Sequence, residues 1–513
     1  MDKRIINYVG IVGPILILLM TFGFMYNTVW ADDHFMTLRY AENFANGCGI
    51  AYNCETPDEG ASSLMLIATI GISYMFTGIN LYFLAKFVPF LFSILLLFLL
   101  YEFLNNYIKD KGFITIVLLF IFVDVNMLMY SVLGTSNPIF QASLFTTILF
   151  LFSREKIKGI PMYYVPLIVH IYTRPEGLIT LFAILLYEGF YGIIKGKREH
   201  QINIGFLVAL MIIFFYSKLL LFGSIQSPPA IRKLSSLDGV TLQMFFSNLM
   251  NIVRTYIYLV PGIIVFFINK ENWKEQQNLV IFSFLFICGH IFIRTTVLPD
   301  VGRYFNQVSI LIYVIAFLGY YQMYKSLSEV KNIFPLLVVA WVIFAFFSVG
   351  QIIEHKEQLD STPVFFAYKP AGEFMKEHTT EDAIVSSVEV GAPAYYSHRQ
   401  FYDTSGLTNY ENARIWKQNS ELFLEQKINY YQLLEYPPEQ IYTLPELQIY
   451  YNRFFNVSPD MIFMIHNPPS YVLGIHPKFQ EQYREVWRRT RQDNFRGYYA
   501  VFAKVNSTKV RGI

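Results

Sequence analysis

Long apolar stretches, separated by short polar segments, occupy the first two thirds of the chain. The first stretch, residues 7–30, is apolar apart from Asn7 and Asn27 and exceeds the roughly 20 residues that cross a bilayer as a helix. Further apolar stretches lie at about 61–78, 82–104, 113–130, 138–153, 162–173, 177–193, 202–222, 251–268, 278–297, 305–324 and 333–351. This pattern predicts a polytopic α-helical membrane protein.

Lysine and arginine residues indicate how these stretches are oriented, because cytoplasmic loops carry an excess of them. If segment 61–78 does not span the membrane, one side collects most of the basic loops. These loops contain Lys3/Arg4, Lys109/Lys111, Arg154/Lys156/Lys158, Lys195/Lys197/Arg198, Lys270/Lys274 and Lys325/Lys331. We therefore expect about eleven spans, a cytoplasmic N-terminus, an external hydrophilic tail, and an interfacial or re-entrant helix at 61–78.

The N-terminal segment also has features of a cleaved secretory signal. Lys3 and Arg4 precede the apolar run, and Val29-Trp30-Ala31 fits a small-residue cleavage site. The run is longer than the roughly 7–15 residues of a signal core, so the pattern favours an uncleaved signal-anchor helix.

The external loop 31–81 is long and contains a predicted amphipathic helix. Its apolar positions recur at helical spacing, at Phe35, Leu38, Ala41 and Phe44. Asp32 or Asp33 would cap this helix, and Gly47 would end it.

The tail predicts a small α/β domain. We expect helices at about 371–378 and 411–434, and strands at 383–388, 400–402, 460–465 and 498–504. The chain would thus divide into a transmembrane domain, residues 1–351, and a soluble α/β domain, residues 352–513.

The composition agrees with a membrane protein and differs from that of soluble and nucleic-acid-binding proteins. Hydrophobic residues make up 54% of the chain and charged residues 15%, against about 25% charged residues in soluble domains. The net charge of +2 gives no nucleic-acid-binding signature. With three cysteines, the fold does not depend on a disulfide framework.

Two adjacent carboxylates, Asp32 and Asp33, lie where the first apolar stretch ends. Acidic residues held at a membrane surface indicate a functional site. The alternative is that they only cap the following helix, a contribution of about 0.5–2 kcal/mol.

The first external loop resembles that of bacterial GT-C glycosyltransferases, especially the cell-wall arabinofuranosyltransferase-like group. That family has roughly D-D-x-F-I-x-x-R-Y-A-x-N, then G-x-G-x-x-Y-N and E-G-x-(S/T)-S. The matching positions are Asp32, Asp33, Phe35, Arg39, Tyr40, Ala41, Asn43, Gly47, Gly49, Tyr52, Asn53, Glu59, Gly60 and Ser63. His34, Cys48 and Cys54 depart from the pattern without touching the acids.

Later segments extend the resemblance over nearly the whole chain. Residues 173–177 resemble a T-R-P-E/D-G turn, and residues 302–304 resemble a G-x-R-Y loop. Residues 222–233 resemble the family's F-G-x-x-x-P-N-T-x-x-A-K stretch, although Pro229 and Ala230 replace the usual Asn-Thr. In the tail, residues 391–396 and 403–407 are similar to the family's exocytoplasmic domain.

The resemblance implies an inverting transferase that moves one sugar from a polyprenyl phosphate to a glycan, lipid or glycoconjugate outside the bacterial cytoplasmic (inner) membrane. Such an enzyme needs a carboxylate base at the acceptor hydroxyl and cations at the departing phosphate. Asp32 and Asp33 are the candidate acids. The candidate phosphate-binding cations are Arg39, Arg174, Arg232, Lys233 and Arg303, with Glu59 and Glu176 supporting the loops. No cofactor is expected, and whether a divalent cation assists stays open.

By the same resemblance, Asp32 is the expected base and Asp33 its support, either capping the helix or orienting a cation. Neighbouring side chains on a helix diverge by roughly 100°, so the two acids have different surroundings.

Simpler roles remain for several of these residues. Arg174 would pair with Glu176, Arg303 with Asp300, and the Arg232–Lys233 pair would form a solvated turn. His34, His170 and His290 lack metal-ligand spacing and are interpreted as hydrogen-bonded polar groups.

Two other functions remain open. A flippase for lipid-linked sugars would show charges at mid-membrane depth and repeat symmetry, whereas the main intramembrane charges, Asp124 and Lys218, lie near span ends. A ligase that transfers whole oligosaccharides is compatible with the acids.

Cys48 and Cys54 lie together in the external loop, where an oxidising compartment permits a disulfide. The two alternatives are a bridge between them and two buried free thiols.

Overall fold

The computed structural model of the chain describes residues 3–29, 32–54, 56–61, 63–157, 160–195, 198–233, 242–269, 276–297, 301–328, 333–414, 445–465, 473–490 and 498–512. The helices are α1 Lys3–Phe24, α2 Asp33–Ala45, α3 Leu64–Thr77, α4 Leu81–Tyr107, α5 Lys111–Val123, α6 Val125–Val132, α7 Asn137–Ser153, α8 Tyr164–Thr173, α9 Gly177–Lys195, α10 Arg198–Phe222, α11 Pro228–Lys233, α12 Leu242–Thr255, α13 Val260–Ile268, α14 Gln277–Val297, α15 Val301–Ser328, α16 Phe334–Asp360, α17 Lys369–Glu377, α18 Ala392–Ser397, α19 Pro445–Val457 and α20 Pro477–Gln482. The strands are β1 Ala51–Asn53, β2 Thr56–Pro57, β3 Lys156–Ile157, β4 Ile160–Pro161, β5 Ile384–Ser387, β6 Gln400–Asp403, β7 Met461–Met464, β8 Tyr483–Thr490 and β9 Tyr498–Lys504.

Helices long and apolar enough to cross a membrane are fewer than the eleven expected. Within the described residues there are four, or up to six if each of two bent helix pairs is one span. The four are Leu81–Tyr107, Arg198–Phe222, Asn306–Ser328 and Phe334–Glu377. Other predicted spans are shorter apolar helices, such as the ten residues of α8. The chain is thus a mostly helical membrane protein, and the count of eleven is not confirmed.

The apolar stretch at 113–130 forms two helices, α5 and α6, with a bend of 63° between them. Asp124 produces the break, because its carboxylate accepts hydrogen bonds from the amides of Asn126 (3.0 Å) and Met127 (3.2 Å) and so caps α6. The Tyr258 hydroxyl donates to the other oxygen, at 2.8 Å. Hydropathy alone predicted one span here because a single capping acid hardly changes the average.

Helix α2 forms as its apolar spacing predicted, and it ends in a Schellman motif. Gly47, at φ +86°, donates to the Phe44 carbonyl (3.1 Å), and Cys48 donates to the Asn43 carbonyl (3.0 Å). A disulfide then joins Cys48 and Cys54, whose Cα atoms are 4.9 Å apart, within the range that a bridge requires.

Helix α3 covers most of segment 61–78 and packs against α2. At 14 residues it is about 21 Å long, shorter than the roughly 30 Å hydrocarbon core of a bilayer. Gly71 permits the close packing, because a Cβ there would lie 2.7 Å from the Phe44 ring. The length and packing agree with the expected non-spanning helix.

The C-terminal region contains a five-stranded sheet in the order β6-β5-β7-β9-β8. Strands β6, β5 and β7 pair in parallel, and β9 runs antiparallel to both of its neighbours, β7 and β8. The strands predicted at 383–388, 400–402, 460–465 and 498–504 all form, and β8 was not predicted. The helix expected at 411–434 lies almost wholly outside the described residues.

One face of this sheet shares a hydrophobic core with the first external loop. Because strand side chains alternate between faces, Met461 and Phe463 point towards the loop, where Phe35 and Tyr40 pack, while Ile462 and Met464 point to the opposite layer. The loop and the C-terminal sheet therefore lie on the same side of the membrane-spanning helices.

Candidate functional site

Asp32 joins the first loop to the C-terminal region. Its two carboxylate oxygens accept hydrogen bonds from the backbone amides of Gly391 (2.6 Å) and Ala392 (2.5 Å) at the start of α18. Although Asp32 occupies the N-cap position of α2, its side chain makes no capping bond to that helix. The expectation that an aspartate side chain caps α2 is therefore wrong for Asp32.

The junction leaves no space at residue 391. A Cβ on Gly391 would overlap the Asp32 carbonyl oxygen and lie 2.5 Å from the Asp32 Cγ. Glycine is thus required for the close approach of the two segments.

Burial raises the pKa of the Asp32 carboxyl to about 7. The two amide hydrogen bonds lower the pKa and the neighbouring Asp33 raises it, but desolvation is the largest effect. A carboxylate that titrates near neutral pH is suited to general base catalysis, and each of its oxygens keeps a second lone pair that can accept a proton.

Arg39 was expected to bind the donor phosphate, but the structure assigns its N–H groups to protein oxygens. The guanidinium donates to the carbonyls of Tyr52 (2.8 Å), Ala394 (2.6 Å) and Arg399 (2.8 Å), and to the side chain of Asn53 (3.0 Å). It also lies over the Tyr52 ring, 4.6 Å from the ring centroid. Arg39 therefore connects the loop to the C-terminal region and is no longer assigned to the phosphate.

A buried acid that the sequence reasoning missed lies beside Arg39. Asp58 accepts hydrogen bonds from the amides of Tyr52 (3.1 Å) and Gly60 (3.1 Å) and from the Tyr40 hydroxyl. Burial raises the pKa of Asp58 to about 7. Asp58 lies in the T-P-D-E-G segment of the sequence, but the resemblance to the glycosyltransferase family includes only the Glu-Gly that follows it.

The matched motifs of the loop and the tail meet at Gly60. A Cβ there would lie 2.6 Å from both the Thr408 Cγ2 and the Tyr40 hydroxyl oxygen. Thr408 belongs to a turn organised by Asp403, whose carboxylate accepts from the amides of Ser405 (2.7 Å) and Thr408 (2.6 Å). The D-T-S-G-L segment thus forms a buried turn that packs on the loop.

Glu59 supports the loop through an ion pair that joins it to the membrane-spanning helices. Its carboxylate lies 2.8 Å from the Lys218 Nζ in α10, and both side chains are less than a tenth exposed. Burial raises the pKa of Glu59, while Lys218 opposes the rise. The intramembrane lysine noted in the sequence is thereby neutralised at the end of its helix.

Arg174 and Glu176 form the ion pair that was the simpler alternative. The Arg174 Nη2 lies 3.2 Å from the Glu176 carboxylate, and the Arg174 Nη1 donates to the Ser136 hydroxyl at 3.2 Å. Only 3% of the Arg174 side chain is exposed. The pair holds the turn between α8 and α9 against the loop before α7.

The other cations of the predicted phosphate site are not tested. The side chains of Arg232, at the end of α11, of Lys233 beside it, and of Arg303, in the first turn of α15, lie outside the described part of the structure. Their common location with Arg174 stays a prediction. Among the described residues, no cluster of three or more His, Cys, Asp or Glu side chains is placed to hold a metal ion.

His34 was interpreted as a hydrogen-bonded polar group, and the Gly134 backbone is the polar group that lies against its ring. Its ring packs edge-on against Phe35 and Tyr82 and lies against Gly134, where a Cβ would be 2.7 Å from the His34 Cε1. Burial and the nearby Lys86 lower the pKa of His34 to about 3, so the imidazole is neutral.

Lys86 was also missed in the sequence. It is fully buried in α4 and donates to the carbonyls of Met25 (2.9 Å) and Thr28 (2.5 Å), just after α1 ends. A cation there complements the C-terminal end of the helix. Lys86 thus ties the end of α1 to α4.

Comparison with solved structures assigns the fold. The crystal structure of ArnT from Cupriavidus metallidurans in the apo state superposes with a TM-score of 0.56 at 11% identity, over 96% of this chain and 97% of ArnT. The same protein bound to undecaprenyl phosphate gives 0.55 at 11% identity, over 98% and 99%. The chain shares the fold of ArnT.

An oligosaccharyltransferase from Archaeoglobus fulgidus, solved in a complex with zinc and sulfate, has the same fold. Its TM-score is 0.58 at 13% identity, over 95% of this chain and 72% of the archaeal chain. Residues 352–502 match the family described as a domain of unknown function (DUF8728). No curated protein matches the sequence significantly. The arabinofuranosyltransferase-like subfamily is not confirmed.

Proposed function

We propose that this chain is an integral-membrane, inverting glycosyltransferase that takes a single sugar from a polyprenyl phosphate. The acceptor is a glycan, lipid or glycoconjugate outside the cytoplasmic membrane. The GT-C fold supports the enzyme class, and a structural neighbour solved with undecaprenyl phosphate supports a polyprenyl phosphate as the lipid carrier.

The observation that carries this proposal is the environment of Asp32. Its carboxyl lies where the first membrane helix gives way to the external loop, and its pKa of about 7 leaves a basic fraction at neutral pH. The carboxylate takes the proton of the acceptor hydroxyl, whose oxygen attacks the anomeric carbon. The bond from that carbon to the phosphate oxygen breaks, and the polyprenyl phosphate leaves with the electron pair.

Asp33 and the remaining cations have supporting roles. Asp33 adds a second negative charge that raises the pKa of Asp32. Arg232, Lys233 and Arg303 stabilise the charge that grows on the departing phosphate.

The proposed arrangement divides the chain into a membrane domain, residues 1–351, and an external domain, residues 352–513. Loop 31–81 belongs to the first and packs on the second, so catalysis takes place where the two meet. The distribution of basic loops supports a cytoplasmic N-terminus in the bacterial inner membrane.

Asp32→Asn tests the mechanism with purified protein, a polyprenyl-phosphate monosaccharide and a cell-envelope acceptor extract. The amide removes basicity and should lower the transfer rate about 10²–10⁴-fold. The NH₂ group of Asn cannot accept a hydrogen bond, so one of the amides of Gly391 and Ala392 loses its acceptor. Folded yield and donor binding are therefore measured in parallel. Near-normal transfer by the double variant Asp32→Asn/Asp33→Asn would reject the mechanism.

An oligosaccharide ligase is the second candidate, favoured by the similarity to the archaeal oligosaccharyltransferase. Donors with one sugar and with several sugars on the same polyprenyl phosphate separate the two. A single-sugar transferase must turn over the donor with one sugar, whereas a ligase uses the donor with several sugars.

A further inference from the structure

A polar groove of about 460 Å³ lies between the first loop and the C-terminal region. Helix α2 and the disulfide-linked hairpin form one wall. The end of α18, the start of β6 and the segment before β5 form the other. Both walls therefore belong to the external side of the proposed enzyme.

The cations of this groove are occupied by the protein itself. Arg39 donates to three backbone carbonyls, as described above. Arg399 donates to the Thr379 hydroxyl (3.0 Å) and to the carbonyls of Lys376 (2.8 Å) and Thr379 (3.0 Å). Neither guanidinium is arranged to bind an anionic ligand.

The acids of the groove are more available. Glu42 and Glu381 line it, and their carboxylates make no hydrogen bond within the described residues. Burial raises the pKa of Glu42, while the charges of Arg39 and Lys376 lower it. Asp382 also lines the groove and is paired with the Lys509 ammonium at 3.2 Å. These carboxylates can accept hydrogen bonds from hydroxyl or ammonium groups, and they repel phosphate and carboxylate groups.

An aromatic ring and side-chain amides complete the lining. Tyr395 is half-buried, with its ring 5.8 Å from that of Phe35. Asn46 and Gln400 are exposed and contribute both donors and acceptors. An aromatic face beside carboxylates and amides matches the apolar C–H face and the hydroxyl edge of a sugar ring.

Helix α18 connects the groove to the base. The Gly391 amide, just before this helix, binds the Asp32 carboxylate, and Tyr395 lies four residues further on, about 6 Å along the axis. A chain of sugar units in the groove would thus have its end close to Asp32.

We propose that this groove binds the acceptor, and that the acceptor is a glycan without acidic groups, either neutral or amine-bearing. The inference rests on the proposed transferase function and specifies its second substrate. An acceptor recognised only by a lipid anchor would leave the groove without a role.

Binding of three probe trisaccharides to the purified full-length protein in detergent tests the proposal. The probes are cellotriose (neutral), chitosan trisaccharide (amine-bearing) and trigalacturonate (acidic). Binding of either of the first two, but not of trigalacturonate, is expected. Tyr395→Ala and Glu42→Gln should each weaken that binding about tenfold, the equivalent of one strong hydrogen bond or stacking contact.

Glu481→Gln is the matched control, because Glu481 is exposed on α20 and lies outside the groove. It should bind the probes as the unmodified protein does. Equal binding of trigalacturonate, no binding of any probe, or unchanged binding by both groove variants would overturn the proposal.

The donor reaction distinguishes this failure from a failure of the proposed function. Groove variants should still bind the polyprenyl-phosphate sugar and release its sugar slowly to water, with the main loss in KM for the acceptor. If the protein does not turn over any such donor, the transferase function fails, whereas turnover without probe binding rejects only the groove.

Discussion

Replacing Arg39 with lysine tests whether this guanidinium joins two parts of the protein or binds a substrate phosphate. The Arg39 side chain is buried, with 8% exposed, and its N–H groups reach four oxygens in three directions. A lysine ammonium keeps the charge but extends to one point, so at least two of the four hydrogen bonds are lost.

The size of the effect follows from those lost bonds. A hydrogen bond to a charged group contributes about 1.5–3 kcal/mol, so the loss of two reduces the free energy of unfolding by about 3–6 kcal/mol. Arg488→Lys is the control, because Arg488 is half exposed and pairs with Glu485 on the surface. That change should alter stability by less than about 0.5 kcal/mol.

Thermal unfolding in detergent, with limited proteolysis of the C-terminal region, measures the difference. Arg39→Lys should unfold at a clearly lower temperature and release residues 352–513 to the protease earlier. If it unfolds at the unmodified temperature but needs at least tenfold more donor for half-maximal rate, Arg39 acts on the donor and its structural role is refuted.

Three further experiments test the contacts of the first external loop. Since the Asp32 base must be ionised and its pKa is about 7, kcat/KM should rise about tenfold between pH 6 and pH 8, and a flat profile would exclude it as the base. Glu59→Gln or Lys218→Met alone should destabilise by about 3–5 kcal/mol, while the double variant recovers most of the loss; additive losses in thermal unfolding would contradict the buried pair. Gly391→Ala should displace α18 from Asp32 and reduce transfer more than donor binding, and an unchanged transfer rate would show that the close approach is dispensable.

The acid pair, the loop helix and the tail strands were predictable because each depends on neighbours in the sequence. Apolar residues at helical spacing required α2 to bury one face, and Gly47 provided the positive φ at which it ends. Runs of apolar residues likewise indicated β5, β7 and β9. The bends at Asp124 and between α12 and α13 were not predictable in this way, since a capping acid or a turn hardly changes the hydropathy of a stretch.

The partners of the charged residues depended on the tertiary structure. Asp32 and Gly391 are 359 positions apart, and nothing local in either segment indicates that a carboxylate will meet those amides. A guanidinium binds carbonyls and phosphates with the same N–H groups, so the sequence around Arg39 is compatible with either role. The sequence by itself determined which residues can accept or donate a proton. Only the folding of the loop against the sheet determined their partners. Burial and long-range contacts decide which of those groups stay hydrated, which are desolvated, and which therefore titrate near neutral pH.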